Sequence, residues 1–185
     1  MNTKRLKPVR SPRAHGVLAC ALALALAACA GSPTARVPDP LKPGPGESLA
    51  MVVAAKGFQI YECRARGDAS GGSEWAFVAP DAELFDSRGK RIGRHGAGPY
   101  WEADDGSKVV GKVKARADAP VADAIPWLLL ETRAAGPAGA FSRVTSIQRV
   151  NTVGGVAPAE ACNRDAIGTT ARTAYTADYV FFTAR

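Results

Sequence analysis

From Leu49 to the C-terminus, turn chemistry recurs roughly every 8 to 15 residues, and the segments between turns are short, aromatic and β-branched. Nothing in that stretch carries apolar residues at helical spacing over the length of a helix. A chain punctuated in this way has few options. Its strands must pair antiparallel through short connections, as a sandwich or a closed barrel, with alternate side chains buried. The expectation is one all-β domain of about eight or nine strands.

The segments support this one by one. Residues 49–55 are apolar enough for a short helix or a first strand. In 58–64, Phe58 and Ile60 face one way and Gln59, Tyr61 and Cys63 the other. Trp75 and Phe77 share a face of 74–79, which reads as a core strand. Gly89 suits the left-handed position of a turn between 83–86 and 90–94, and Asp104-Asp105-Gly106-Ser107 is a strong hairpin signal between 100–103 and 108–116. Residues 125–132, with Trp127 and three consecutive leucines, read as buried on both faces. Segment 141–153 ends at Gly154-Gly155. In 175–183, Tyr175, Tyr179 and Phe181 oppose Val180 and Phe182.

Upstream, residues 1–28 have the form of a lipoprotein signal peptide. Five cations, Lys4 to Arg13, precede an apolar run from Gly16 to Ala28 that is too short to span a bilayer, which takes about 20 residues. The run ends Leu26-Ala27-Ala28-Cys29, where small residues admit the peptidase and the Cys29 thiol receives the lipid. Ordinary secretory cleavage before Gly31 is the competing reading, and would give a secreted soluble protein. Ala30 after the cysteine, by the bacterial sorting rule it resembles, directs the protein to the outer membrane. Residues 29–48 carry five prolines and few bulky apolar side chains, and read as an extended linker holding a domain at 49–185 off the membrane.

Processing changes what the composition means. The whole chain carries +7, but five of its 24 cations and none of its 17 acids fall in the signal peptide, leaving 19 against 17 and a charge of +2. A near-neutral domain has no general electrostatic footprint for nucleic acid. Of four cysteines, Cys20 is lost and Cys29 takes the lipid. Cys63 and Cys162 then remain in an oxidising compartment and are expected to pair. Without a C-x-x-C spacing, they do not read as a redox couple.

The blocks GPYWEADDGSKVVGKV at 98–113, IPWLLLE at 125–131, VTSIQRVNTVGG at 144–155 and YTADYVFF at 175–182 together resemble the extracytoplasmic family filed as domain of unknown function 3455. The resemblance covers roughly 49–183. It implies a secreted or lipid-anchored protein, and brings no activity, cofactor or catalytic residue.

Candidate chemistry gathers around the second hairpin. Glu102 and Asp104 with His95, the one histidine of the mature chain, could serve as acid, base or nucleophile in an envelope hydrolase. Asp104 and Asp105 also sit where a turn uses aspartate to bond its own backbone. A lone histidine cannot build a structural zinc site, and no G-x-S-x-G elbow is present, so neither metal nor cofactor is expected, with a mixed carboxylate and histidine site or a hard-cation site from the acids as the minor alternative. Lys112, Lys114 and Arg116 alternate along one strand face, as a solvated face or an anion-binding stripe. Gln148 and Asn151 read as amides that fix a strand end, with a ligand-reading amide as the alternative. Taken together these favour a binding or structural module over an enzyme. Its ligand, an anionic or glycan component of the envelope, would meet Tyr100, Trp101 and Glu102, an aromatic surface beside a charge.

Overall fold

The computed structural model describes residues 36–67 and 71–185. The expected signal peptide, Cys29 and the expected linker up to residue 35 lie outside the described residues. Eight strands follow one another around a closed antiparallel barrel: β1 (Glu47–Ala65), β2 (Ser73–Phe85), β3 (Arg91–Gly96), β4 (Tyr100–Ala103), β5 (Lys108–Ala117), β6 (Trp127–Ala134), β7 (Val144–Gly154) and β8 (Thr170–Ala184), with β8 pairing back onto β1. Of the two architectures open to the sequence, closure selects the barrel, which leaves no full-length free edge.

Two pairs of short segments fuse into long strands. Residues 49–55 and 58–64 both belong to β1, and 74–79 and 83–85 both belong to β2, with Asp86 in the turn that follows. Gly57 permits the first fusion, since a Cβ there would collide with the Asp81 carbonyl oxygen. Pro80 is tolerated within β2 because β3 pairs with β2 only from Ala82 onward, so the first half of β2 is one-sided. That half pairs with the end of β1 and projects as a lip. Trp75 and Phe77 lie on this lip rather than in the core. Trp75 is half-buried and its indole N–H donates to the Glu160 carbonyl, while Phe77 is 52% exposed.

Alternation sorts the remaining strands. Val53, Ala55, Leu84, Trp101, Ala103, Val109, Leu130, Ile147, Tyr179 and Phe181 pack together in the interior. Charged residues of the same strands, including Lys56, Glu83, Arg94, Lys112 and Arg172, stand exposed. An apolar lumen within a charged wall is the reverse of a membrane-spanning barrel, whose lipid-facing side is apolar.

One end is plugged. Phe141, 1% exposed, packs edge-on against Phe181 with centroids 4.9 Å apart. The Asp105 carboxylate fixes this plug by accepting from the Ser107 N–H and hydroxyl (2.8 and 2.6 Å) and from the Ala140 N–H (2.8 Å), while Ser107 Oγ accepts from the Phe141 N–H (3.0 Å). Asp105 thus serves the turn and the loop before β7, and these bonds hold its carboxyl below the ordinary aspartate range. Gly89 and Gly106 take the left-handed φ their turns require, 77° and 83°.

The proline-rich stretch does not stay extended throughout. A short 3-10 turn at Asp39–Leu41 lies against the outer wall, where Leu41 is fully buried with Trp127, Leu129 and Val150. The buried Gln148 side chain donates to the Leu41 carbonyl. This strap is why 125–132 is apolar on both faces: one side lines the barrel, the other lies under residues 37–41.

Candidate functional site

The other end of the barrel is open. Around it lie the lip of β1 and β2, the β3–β4 turn, the β5–β6 loop at 118–126 and the β7–β8 loop at 155–169. Inside is a cavity of about 700 Å³, walled by Leu128, Leu130, Val113, Ile125, Trp101 and Tyr179, with Gln59, Tyr61, His95, Arg116 and Arg149 as its polar groups. The Cys63–Cys162 bridge, with Cα atoms 5.5 Å apart, ties the β7–β8 loop to the end of β1. The Tyr61 hydroxyl donates to the Gly155 carbonyl at 2.7 Å, a second tie at the same rim.

His95 and Trp101 form the aromatic floor. Their rings stack with centroids 4.4 Å apart and planes at 16°, and Tyr179 meets both edge-on at 5.0 and 5.3 Å. His95 Nδ1 is 2.7 Å from the Tyr100 carbonyl oxygen. A carbonyl only accepts, so Nδ1 carries the hydrogen and Nε2 is left as an acceptor. Burial pushes the imidazole down to about 3, helped by the positive charge of Arg149, so the ring is neutral at physiological pH. Burial likewise raises the Tyr179 and Tyr175 phenols, which stay protonated.

Arg149 is the cavity's half-buried cation. Its Nε and Nη2 donate to the Pro126 carbonyl at 3.0 and 2.9 Å, which takes two of its five N–H groups. Among the described residues it enters no ion pair, and no carboxylate lines the cavity. One further donor in the wall has no acceptor among the described residues, the indole nitrogen of Trp101, 1% exposed, while the buried Gln59 side chain lies against the Tyr175 phenol. The polar side of the cavity is therefore rich in donors and positive charge.

The residues singled out from sequence are distributed across the wall. Trp101 points inward, while its neighbours Tyr100 and Glu102 point outward because successive strand residues alternate. The three do not form one surface. Outside, Glu102 pairs with Arg94 at 2.8 Å and Lys108 at 3.2 Å, contacts that hold its carboxyl below the usual range, and Lys108 sits 4.1 Å over the Tyr100 ring. Asp104 pairs with Arg91 at 2.6 Å. Glu102, Asp104 and His95 thus do not converge: the acids are on the outer wall in ion pairs, and the imidazole is inside. Among the described residues no group of three His, Cys, Asp or Glu side chains is placed to hold a metal ion.

The cation row on β5 is also divided. Register shifts between Val113 and Ala115, and the bulge turns Ala115 and Ala117 outward beneath the strap and Arg116 to the cavity mouth. Lys112 and Lys114 remain on the outside. Asn151 sits at a second irregularity, with φ 51° and its amide donating to Asp178 at 2.8 Å. Gln59, Tyr61 and Arg149 are site residues that no sequence motif marks. The signal for them was present: each occupies the inward position of its strand, where an apolar side chain is the default.

No curated protein and no solved structure matches the chain. A family match runs through all eight strands, the plugged end and the mouth, and by it the chain, over residues 43–183, belongs to the family described as protein of unknown function (DUF3455).

Proposed function

We propose that the chain is an envelope lipoprotein whose barrel is a binding module for a small amphipathic anion. The apolar body would lie against Leu128, Leu130 and Trp101, and the acidic group would meet Arg149. One observation carries this reading: a single-ended apolar cavity whose lining holds the cations Arg149 and Arg116 and no carboxylate. An arriving carboxylate would meet a half-buried guanidinium that no acid of the cavity wall neutralises, and charge-assisted hydrogen bonds are stronger than neutral ones. The volume of about 700 Å³ is in the usual range for small-molecule sites. A single-ended cavity suits a compact ligand better than a glycan chain, so the anionic branch of the ligand expectation is kept.

The envelope assignment draws on two features. The lipobox at 26–29 supplies an anchor, so the membrane is a partner through lipid on Cys29, with the outer membrane as destination. The disulfide fits an oxidising compartment. Labelled palmitate should enter the protein in an expressing bacterium and disappear in Cys29→Ala; incorporation that survives the change removes the anchor from the reading.

Binding is tested by Trp fluorescence with matched probes, decanoate against decanol and indole-3-acetate against indole-3-ethanol. Each acid should bind about tenfold or more tightly than its alcohol, a difference of about 1.4 kcal/mol. Arg149→Met should erase that preference. Equal binding of acid and alcohol by the wild type, or binding of none of the four, overturns the proposal.

A further inference from the structure

We infer that the open end of the barrel docks on the bilayer that holds the lipid anchor, so that the cavity exchanges its ligand with the membrane surface. The inference rests on the lipoprotein reading of Cys29 and adds an orientation and a partner to it.

The path of the strap gives the orientation. The Glu47 carboxylate accepts from the Thr145 hydroxyl, and the Leu41 carbonyl accepts from Gln148, further along β7. Strand β7 runs toward the mouth. The chain traced backward from Glu47 to Leu41 therefore climbs the wall from the plugged end toward the open one. Val37 packs against the same cluster as Leu41, which includes Trp127, the first residue of β6 at the mouth, and Ala119 of the β5–β6 loop joins them. The described chain begins at Arg36, only seven residues after Cys29. Seven residues span at most about 25 Å when fully extended. The reach starts from the end of the strap that lies beside the mouth, and the apolar rim selects the mouth over the plug as the end that meets the headgroups.

The surface at that end has matching chemistry. Nine large apolar side chains are exposed among the described residues, and Phe77, Val78, Val113, Val121 and Ile167 are all at the open end. Phe77, Val78 and Val113 also line the cavity entrance, so the exposed rim is continuous with the apolar interior. Apolar side chains clustered at one end of a protein mark an interaction site, and a short anchor beside them favours a lipid interface over a diffusing partner. Arg116, at the same mouth, forms no ion pair among the described residues and would face anionic headgroups. The plugged half carries the exposed Leu49 and Val52 on the outer wall of β1, but its turns are charged, with Asp86, Arg88 and Lys90.

The test uses the mature lipidated chain in vesicles of phosphatidylethanolamine and phosphatidylglycerol carrying a doxyl-labelled lipid. A bimane label is attached at Val121→Cys on the mouth or at Ser87→Cys on the plugged end, both exposed positions. Quenching should be severalfold stronger at 121 than at 87, and Phe77→Asp should reduce it. Equal quenching at the two positions, or stronger quenching at 87, overturns the docking. Mass spectrometry of the same sample reports the lipid on Cys29; its absence overturns the inference together with the anchor beneath it. A lipidated chain quenched at the wrong end leaves the anchor standing and removes the docking alone, and neither result depends on whether Arg149 binds an acid.

Discussion

His95 lies flat against Trp101 inside the barrel, ring centroids 4.4 Å apart, and the two residues are antiparallel partners in the β3–β4 pair. The stack makes the histidine part of the core as much as part of the cavity. Trp101 is 1% exposed and adjoins Leu130 across the space that Gly111 leaves. Trp101→Ala should therefore cost about 3–5 kcal/mol, the range for losing a large core aromatic, read as a fall in the urea midpoint. A midpoint within error of wild type would place the indole outside the core.

The same stack makes stability depend on acid. The imidazole titrates at about 3 in the folded chain against 6.5 for an ordinary histidine. Above pH 6.5 both folded and unfolded states hold it neutral, and it contributes no pH dependence. Between 6.5 and about 3 the unfolded state takes the proton and the folded state does not, so stability falls as pH falls. The slope approaches about 1.4 kcal/mol per pH unit, the value for one proton. Glu102 and Asp105, whose carboxyls are held low by their partners, add their own loss in the carboxylate range. His95→Asn keeps a donor for the Tyr100 carbonyl and should flatten the decline between pH 6 and 5, measured by denaturation at each pH. An unchanged slope would mean that the ring charges in the folded state.

Gly111 is the residue opposite this floor. A Cβ at that position would lie 2.8 Å from Cζ3 of Trp101 and 3.3 Å from Leu130. The indole is stacked on one side and cannot retreat. Gly111→Ala should cost about 1–3 kcal/mol as an overpacked site, and should shift the Trp emission spectrum because the ring must move. Full stability with an unchanged spectrum would contradict the tight contact.

Much of this was legible in the chain, and the limits have physical causes. Alternation in 58–64 and 175–183 placed Tyr61, Tyr175, Tyr179 and Phe181 on their correct faces. Asp-Gly chemistry marked the hairpin at 104–107. The shared face of Tyr100 and Glu102 against Trp101 could be read from the same period of two, yet grouping residues as neighbours in sequence overrode it. Arg116 was beyond reach for another reason: the bulge after Val113 reverses the alternation, and neither flanking residue is a glycine that would signal it. Leu41 sat in a stretch whose prolines suggested a tether, although its burial partners, Trp127 and Leu129, already required a cover on the outer wall. Arg149 looked like one more polar residue in a strand until closure of the barrel put its position inside.

The disulfide should govern the mouth more than the plug. It closes a separation of 99 residues, for which chain entropy gives an upper figure of about 4–5 kcal/mol. Its local consequence is narrower, because Cys162 lies in the loop whose Gly155 and Glu160 carbonyls accept from Tyr61 and Trp75. Cys63→Ala with Cys162→Ala should lower the denaturation midpoint and speed amide exchange across 155–169, while amides near Phe141 keep their protection. Uniform loss of protection at both ends would show that the bridge supports the whole barrel rather than its rim.

The strap makes the last prediction. Leu41 is fully buried against Trp127, Leu129 and Val150, and its carbonyl takes the amide hydrogen of Gln148, itself 5% exposed. If the strap lifts, Gln148 loses its acceptor and an apolar strip of β6 and β7 meets water. Leu41→Ala removes the side chain that prevents this and should cost about 2–5 kcal/mol where the cavity cannot collapse, less where residues 36–46 simply undock. The two outcomes separate by exchange and by mass: undocking frees the amides of 41–47 and exposes Trp127 and Leu129, so the variant should self-associate in light scattering at concentrations where the wild type does not. A monomer with protected strap amides would show that backbone contacts, not the leucine, hold the strap in place.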